Sequence, residues 1–171
     1  MVLETRRLIL REMTQDDFPV LCNILQDDDV MYAYEGAFRN DEVQGWLDRQ
    51  IDRYKENGFG LWAVVLKETD EMIGQCGLTM QNFKEDKLLE IGYLFLKEHW
   101  HHGYASEAAI ACRAYAFDKL NANEVYSIIR DTNIPSQNVA IRNGMTCIDH
   151  FTKHYRGFDM PHLLFCVKKI D

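Results

Sequence analysis

Two places in this 171-residue chain carry residues whose type and spacing could do chemistry. Glu90 is a lone carboxylate inside the apolar run from Leu88 to Leu96, two residues before Gly92. Side chains alternate along a strand, so Glu90 shares a face with Gly92 and Leu94. A carboxylate among apolar neighbours is suited to proton abstraction; the other reading is an edge residue facing solvent. After a short polar turn, Gly103-Tyr104-Ala105-Ser106 opens an alanine-rich segment that reads as a helix to Leu120. The first turn of a helix has unpaired N–H donors and a partial positive charge, and so takes an anion. Glycine at 103 removes the side chain that would stand in the way, and small Ala105 and Ser106 keep the approach open. Six histidines (His99, His101, His102, His150, His154 and His162) invite a metal. Adjacent His101 and His102 point apart, however, and no spacing matches a zinc site, so no metal is expected.

The elements that must position these residues follow from periodicity. Leu8 to Leu10 is a short strand, followed by Thr14 as a helix cap with Asp17 three residues on, and by Val20, Leu21, Ile24 and Leu25 at helical spacing. Asp27-Asp28-Asp29 reads as a solvated loop ending that helix. A second helix runs from Asn40 or Asp41 to about Asn57, with Val43, Leu47, Ile51 and Tyr54 on one stripe and Gly58 as its stop. Trp46 and Tyr54 could line a pocket, although core packing is the simpler role. Leu61–Leu66, Met72–Met80 and Leu88–Leu96 read as a three-stranded meander, in which Gly74 and Gly77 mark a bulge and 82–87 form a loop. In the helix after Gly103, alanines let it lie close to a sheet, with Ile110, Phe117 and Leu120 as larger contacts. Glu124–Ile129 is then a strand parallel to Leu88–Leu96. Ser136 can cap a two-turn helix that Gly144 ends. Met145–Phe151 and Pro161–Lys168 form a final hairpin with 152–160 as its long connection.

The length fits one domain, 1–171, with a sizeable core. A formal charge of −8 argues against a nucleic-acid surface and favours the approach of cationic substrates. Cys22, Cys76, Cys112, Cys147 and Cys166 are scattered, with no C-x-x-C pair, and read as reduced core cysteines of a cytoplasmic protein. Arg6, Arg7 and Arg11 interrupt any apolar leader, so no signal peptide is expected. No segment approaches the ~20 apolar residues that span a membrane. Dimerisation through the terminal hairpin stays open.

The pattern Trp100-x-x-Gly103-x-Ala105, directly after a strand, resembles the acyl-CoA pyrophosphate loop of the GNAT acetyltransferases. Ile91-Gly92-Tyr93 ahead of it and Gly103-Tyr104-Ala105-Ser106-Glu107-Ala108 behind look like the RimJ/RimL branch, which acetylates N-terminal amines of ribosomal proteins. Asn133-x-x-Ser136-x-Asn138-Val139-Ala140, then Asn143-Gly144-Met145, is similar to the family's second acyl-CoA motif, and the likeness runs on through Tyr155-Arg156-Gly157-x-Asp159-Met160-Pro161-His162. The resemblance implies an α/β (α+β) GNAT fold: a mixed, mostly antiparallel central sheet with a parallel splayed strand pair and flanking helices. It implies acetyl-CoA as cosubstrate. Backbone groups of Leu94, Phe95 and Leu96 would pair with the pantetheine arm. Amides of His101, His102, Gly103, Tyr104, Ala105, Ser106 and Glu107 would take the pyrophosphate, and Asn133 and Asn138 would bond the pantetheine or thioester region. For Asn133 the alternative is turn formation and capping. Two positions depart from the family: Trp100 replaces Gln or Arg, and Ala140 stands where many members carry a tyrosine general acid.

The implied reaction moves an acetyl group from acetyl-CoA to a primary amine. Glu90 is the candidate base and Ser136, with Tyr93 behind it, the substitute acid. A thiol with pKa near ~8.5 leaves as thiolate without great difficulty near neutrality. An α-amine of pKa ~7.8 is partly neutral at pH 7, whereas a lysine near ~10.4 is neutral far less often. One modest base therefore favours a protein N-terminal α-amine. A small-molecule amine such as a polyamine or antibiotic is the alternative acceptor, and a non-catalytic acyl-CoA sensor is the alternative function.

Overall fold

The computed structural model describes residues 1–34, 36–155 and 157–170; Arg156 of the closing motif lies outside them. The strands are β1 (Leu3–Glu4), β2 (Leu8–Arg11), β3 (Leu61–Leu66), β4 (Glu71–Phe83), β5 (Asp86–Phe95), β6 (Glu124–Arg130), β7 (Thr146–Tyr155) and β8 (Phe158–Lys168). The helices are α1 (Phe18–Leu25), α2 (Asp28–Met31), α3 (Asn40–Asn57), α4 (Tyr104–Asp118) and α5 (Ile134–Arg142). One eight-stranded sheet runs in the order β1-β2-β3-β4-β5-β6-β8-β7, and every neighbouring pair is antiparallel except β5–β6.

Strand β3, LWAVVL, is buried throughout because the sheet is covered on both faces. Trp62 and Val64 face one core with Leu8, Leu10 and the small residues Ala108, Ala109, Cys112 and Ala116 of α4. Ala63 and Val65 face a second core with Leu21, Ile24 and Leu25 of α1 and Val43 and Leu47 of α3. The alanine face does let α4 lie on the sheet, but Ile110 is exposed rather than packed. Helix α3 ends where the sequence places its stop, with Gly58 left-handed at φ 77°. Tyr54 is a core residue: its hydroxyl accepts from the Met13 N–H at 3.2 Å and donates to the Leu61 carbonyl.

Four expectations are corrected. Asp27 does not sit in a loop that merely ends α1; it caps α2, its carboxylate accepting from the N–H groups of Asp29 and Val30. Strands β4 and β5 extend into 82–87 and leave only a tight turn at Lys84-Glu85, since Asn82 pairs with Lys87 and Phe83 with Asp86. The last hairpin likewise pairs out to Tyr155 and Phe158, so residues 152–155 and 158–160 are strand rather than part of a long connection. Polar alternation at both tips hides strands whose outer faces meet water. Cys147 is exposed, unlike buried Cys76, Cys112 and Cys166.

The bulge lies beside Gly74, whereas Gly77 pairs regularly with Leu61 and Gly92. Val64 pairs with Gly74 and Val65 with Met72, leaving Ile73 as the extra residue of β4. At Gly77 a methyl group would overlap the Gly60 carbonyl oxygen and stand 2.8 Å from the Leu61 Cα, so backbone must shift to admit it. Gly77→Ala is expected to destabilise by roughly 1–3 kcal/mol. Gly45→Ala, within α3 with only the Arg49 side chain at 3.7 Å, should stabilise by about 0.5–1 kcal/mol. Thermal unfolding of the two variants should therefore shift in opposite directions.

Candidate active site

The parallel pair that the sequence implies is real but brief. Strands β5 and β6 meet at Glu90 and Tyr126 and have no further paired residues. Beyond that point the Ser127 hydroxyl stands between them and donates to the Ile91 carbonyl at 2.8 Å. Backbone groups alternate sides along a strand. The Leu96 N–H already donates to the Ile73 carbonyl of β4 at 3.0 Å, and Leu94 pairs with Gln75 on the same side. Tyr93 and Phe95 therefore carry the backbone groups that face the gap. The Phe95 carbonyl there accepts from the Trp100 indole at 3.0 Å. Of Leu94, Phe95 and Leu96, Phe95 has its backbone groups on the side of the gap; Leu94 pairs into β4, the Leu96 N–H donates to β4 and its carbonyl accepts from the His99 N–H.

The turn into α4 is shaped by two left-handed residues, His101 at φ 64° and Gly103 at φ 78°. The first intrahelical bond runs from the Glu107 N–H to the Gly103 carbonyl at 3.0 Å. Tyr104, Ala105 and Ser106 precede it, so their N–H groups have no partner within the helix. The Glu107 amide is already used. Its carboxylate instead ties the loop to the first hairpin. It accepts from the Thr5 hydroxyl at 2.6 Å, from the Arg7 backbone N–H at 2.8 Å and from the Arg7 guanidinium at 2.7 Å. Burial opposes the Glu107 charge, but these bonds outweigh it and hold the carboxyl below its usual range. Arg7 also donates to the His102 carbonyl at 3.0 Å and lies 4.4 Å from the centre of the Tyr104 ring. His102 itself is exposed, its ring stacked on Tyr104 and its Nδ1 bonded to the Trp100 carbonyl. Nothing in the local sequence reveals Thr5 and Arg7, which lie about a hundred residues from the loop they fasten.

A cavity of about 660 Å³ lies along this loop and the open edge of β5. It is lined by Leu94, Phe95, His101, Gly103, Tyr104, Ala105 and Ser106, and across the gap by Asn133, Ser136 and Asn138. Leu96, His102 and Glu107 are outside its wall. Asn133, not Ser136, caps α5: its side chain accepts from the Ser136 N–H at 3.2 Å. Ser136 itself is part of the cavity wall. Ala140 is packed in the core, so its position offers no acid.

A second cavity, of about 320 Å³, opens on the α3 side of the same strand and contains Glu90. Tyr93, Leu94, Asn133 and Ser136 line both cavities, so the two meet there. The Tyr93 hydroxyl donates to the Ser136 carbonyl at 2.7 Å, and burial raises its pKa. A Cβ at Gly92 would stand 3.5 Å from the Glu90 carboxylate, which shows that this side chain lies over the glycine on the shared face. Glu90 is half-buried within the cavity wall and has no hydrogen-bond partner among the described residues. Burial pushes its carboxyl up to about 7, against the pull of Lys153 and Arg53. Trp46 lines this cavity too, its indole donating to Gln75 at 2.9 Å. The sequence did not single out Arg49, Gln50 and Arg53 of α3, nor Arg130 and Lys153; His162, weighed there only as a metal ligand and as part of the closing motif, lines this cavity as well. On α3 the arginines read as the polar side of an amphipathic helix, and only the folded sheet shows that this side roofs a cavity.

Residues 7–146 match the model of the family described as Acetyltransferase (GNAT) domain. The chain is 35% identical over 160 residues to the uncharacterized protein YkkB of Bacillus subtilis (strain 168), covering 93% of this chain and 91% of that one. It is 35% identical over 136 residues to the uncharacterized N-acetyltransferase p20 of Bacillus licheniformis, covering 78% and 76% of the two chains. Among solved structures, a GNAT-family acetyltransferase from Bacillus anthracis shares its fold with a TM-score of 0.83 over 98% of each chain, at 22% identity. A strand pair parted by a serine, a glycine turn with free helix amides and a family model spanning both lead to one assignment: the chain belongs to the GNAT acetyltransferases and is an acetyltransferase of that family.

Proposed function

We propose that the larger cavity takes acetyl-CoA and the smaller one a primary amine, and that the acetyl group passes between them at Tyr93 and Ser136. The observation that carries this reading is the shared wall of the two cavities. The chain's groups fit the cosubstrate. The Tyr104, Ala105 and Ser106 amides suit a pyrophosphate, and the open edge at Tyr93 and Phe95 suits an extended amide chain that pairs as an added strand. Asn138 and Asn133 border the same channel.

Acetyl-CoA supplies the thioester whose carbonyl carbon the amine nitrogen attacks; the new C–N bond forms as the C–S bond breaks. Glu90 receives the proton that the amine nitrogen sheds. A base near 7 is half ionised at neutral pH and strong enough to matter. It also matches an α-amine of pKa ~7.8 better than a lysine near ~10.4. The Ser136 hydroxyl donates a hydrogen bond to the departing sulfur, and Tyr93 fixes the Ser136 backbone from behind. The products are an N-acetyl amide and CoA thiol, with the proton on Glu90 returned to the thiolate through solvent. Within the family we place the chain in the RimJ/RimL-like branch. The support is Ile91-Gly92-Tyr93 and Gly103-Tyr104-Ala105-Ser106-Glu107-Ala108, and the acceptor is accordingly an α-amine.

Glu90→Gln should lower kcat by roughly 10²–10⁴-fold at neutral pH with little change in acetyl-CoA affinity. In the native protein the rate should fall as pH drops through about 7, because Glu90 is protonated along with the amine; the variant should keep only the amine's share of that limb. Its stability should change in the other direction. With a folded pKa above the ordinary 4.5, the unfolded chain releases its proton first, so Glu90 stabilises less as pH rises from 4.5 to about 7. The full displacement corresponds to at most ~3 kcal/mol, so Glu90→Gln should melt higher than the native protein at pH 8 and nearly the same at pH 4. Ser136→Ala should lower kcat by roughly 10–100-fold, the worth of one hydrogen bond to a charged group, with acetyl-CoA binding retained in a thermal-shift assay.

A further inference from the structure

Among the described residues, the wall of the cavity around Glu90 has a charge opposite to that of the chain. The protein carries −8 overall, yet Arg49, Arg53, Arg130 and Lys153 all line this cavity and Glu90 is its one acidic residue among the described residues. Arg49 and Arg53 lie four residues apart on α3 and so share one helical face. Neither forms an ion pair among the described residues. The nearby acids are engaged elsewhere: Asp48 accepts from Gln15 and Gln44, and Asp52 lies 3.6 Å from Lys55. Arg49 is 5.8 Å from the centre of the Trp46 ring, and Arg53 donates to the Gln50 side-chain oxygen at 3.2 Å. Burial and the neighbouring Arg49 both work against the Arg53 charge. Gln50 is wholly buried at the same wall. Its oxygen takes both Arg53 and the Leu61 N–H, the latter at 3.1 Å, while its NH₂ group has no partner among the described residues. Across the cavity Arg130 donates to the Tyr32 carbonyl and has a buried Nε that also lacks a partner among the described residues.

Clustered guanidinium groups that form no ion pair among the described residues, with Glu90 the one acid facing them there, and a buried amide donor without an acceptor among those residues raise the energy of the free protein unless an anion meets them. We propose that the acceptor is a small amine bearing an anionic group, a carboxylate or phosphate, which docks on Arg49, Gln50 and Arg53 while its amine faces Glu90. This rests on the two-cavity reading above and narrows its substrate class. Guanidinium groups recognise carboxylate and phosphate through paired N–H donors. A polyamine would bring further positive charge into a wall that already repels it. The acidic exterior and the basic cavity then do different work: the outside keeps a generally anionic surface, and the cavity selects by charge at the point of contact.

The test measures acetyl transfer from acetyl-CoA to glutamate and O-phosphoserine, to the neutral glutamine amide and serine amide, to spermidine, and to the peptide amides Asp-Ala and Ala-Ala. Isothermal titration of the N-acetylated acids and amides into the CoA-loaded protein runs alongside. Acid-bearing small amines should exceed their neutral counterparts in kcat/KM or affinity by roughly ten- to hundred-fold. The preference should weaken with salt and should be lost in Arg49→Gln/Arg53→Gln, whose thermal shift with acetyl-CoA checks that it is folded. Glutamate against O-phosphoserine decides between carboxylate and phosphate. If nothing is acetylated but the N-acetylated acids still bind selectively, the charge assignment stands and the transfer reading falls. Preference for spermidine, for the neutral amides or for the peptides, or a preference for acids unchanged in the double variant, would overturn the inference.

Discussion

Inside a protein every backbone donor and acceptor needs a partner, and a sheet normally supplies it from the next strand. Strand β5 is denied that partner over its second half. After the single meeting of Glu90 and Tyr126, β6 turns aside, and side chains fill the vacancies: Ser127 at the Ile91 carbonyl, Trp100 at the Phe95 carbonyl. What these two do not cover opens onto a cavity. The site exists because one strand pair is left incomplete at its centre, with paired strands on either side holding it open.

The anion loop depends on a second constraint. Its backbone adopts the left-handed region at a histidine as well as at a glycine, and a histidine there is strained. The ties from Thr5 and Arg7 to Glu107, and from Arg7 to His102 and Tyr104, hold the turn in that shape. Glu107 therefore contributes through its side chain rather than through its amide. The short strands β1 and β2 thus act at the site while lying at the far edge of the sheet from β6.

Much of this was legible in the sequence because it is local. Helix α3, strand β3 and the glycine turn into α4 each carry their own periodicity and stop signals, and Glu90 stands out as the one charge in an apolar run. The shared face of Glu90 and Gly92 follows from strand alternation alone. Other features were hidden because they depend on what lies opposite. Which of Leu94, Phe95 and Leu96 turns its backbone to the gap depends on the register with β4. Asn133 rather than Ser136 caps α5 because the helix starts three residues earlier than the serine signal suggests. The cationic cavity gathers residues from α3, β6 and β7, each ordinary in its own segment. Net charge pointed to cationic substrates, and the cavity wall carries the opposite sign; an overall charge says nothing about where the charges converge.

The most direct measurement is the change in backbone amide resonances when CoA is added to the isotopically labelled protein. The amides of Tyr93, Phe95, Tyr104, Ala105 and Ser106 should move most, since they face the gap or start the helix without partners. Those of Leu94, Leu96 and Glu107, already bonded within the protein, should move little. If Leu96 and Glu107 respond as strongly as their neighbours, or if Tyr104 to Ser106 stay unmoved, the parted strand and the free helix amides are not where CoA binds.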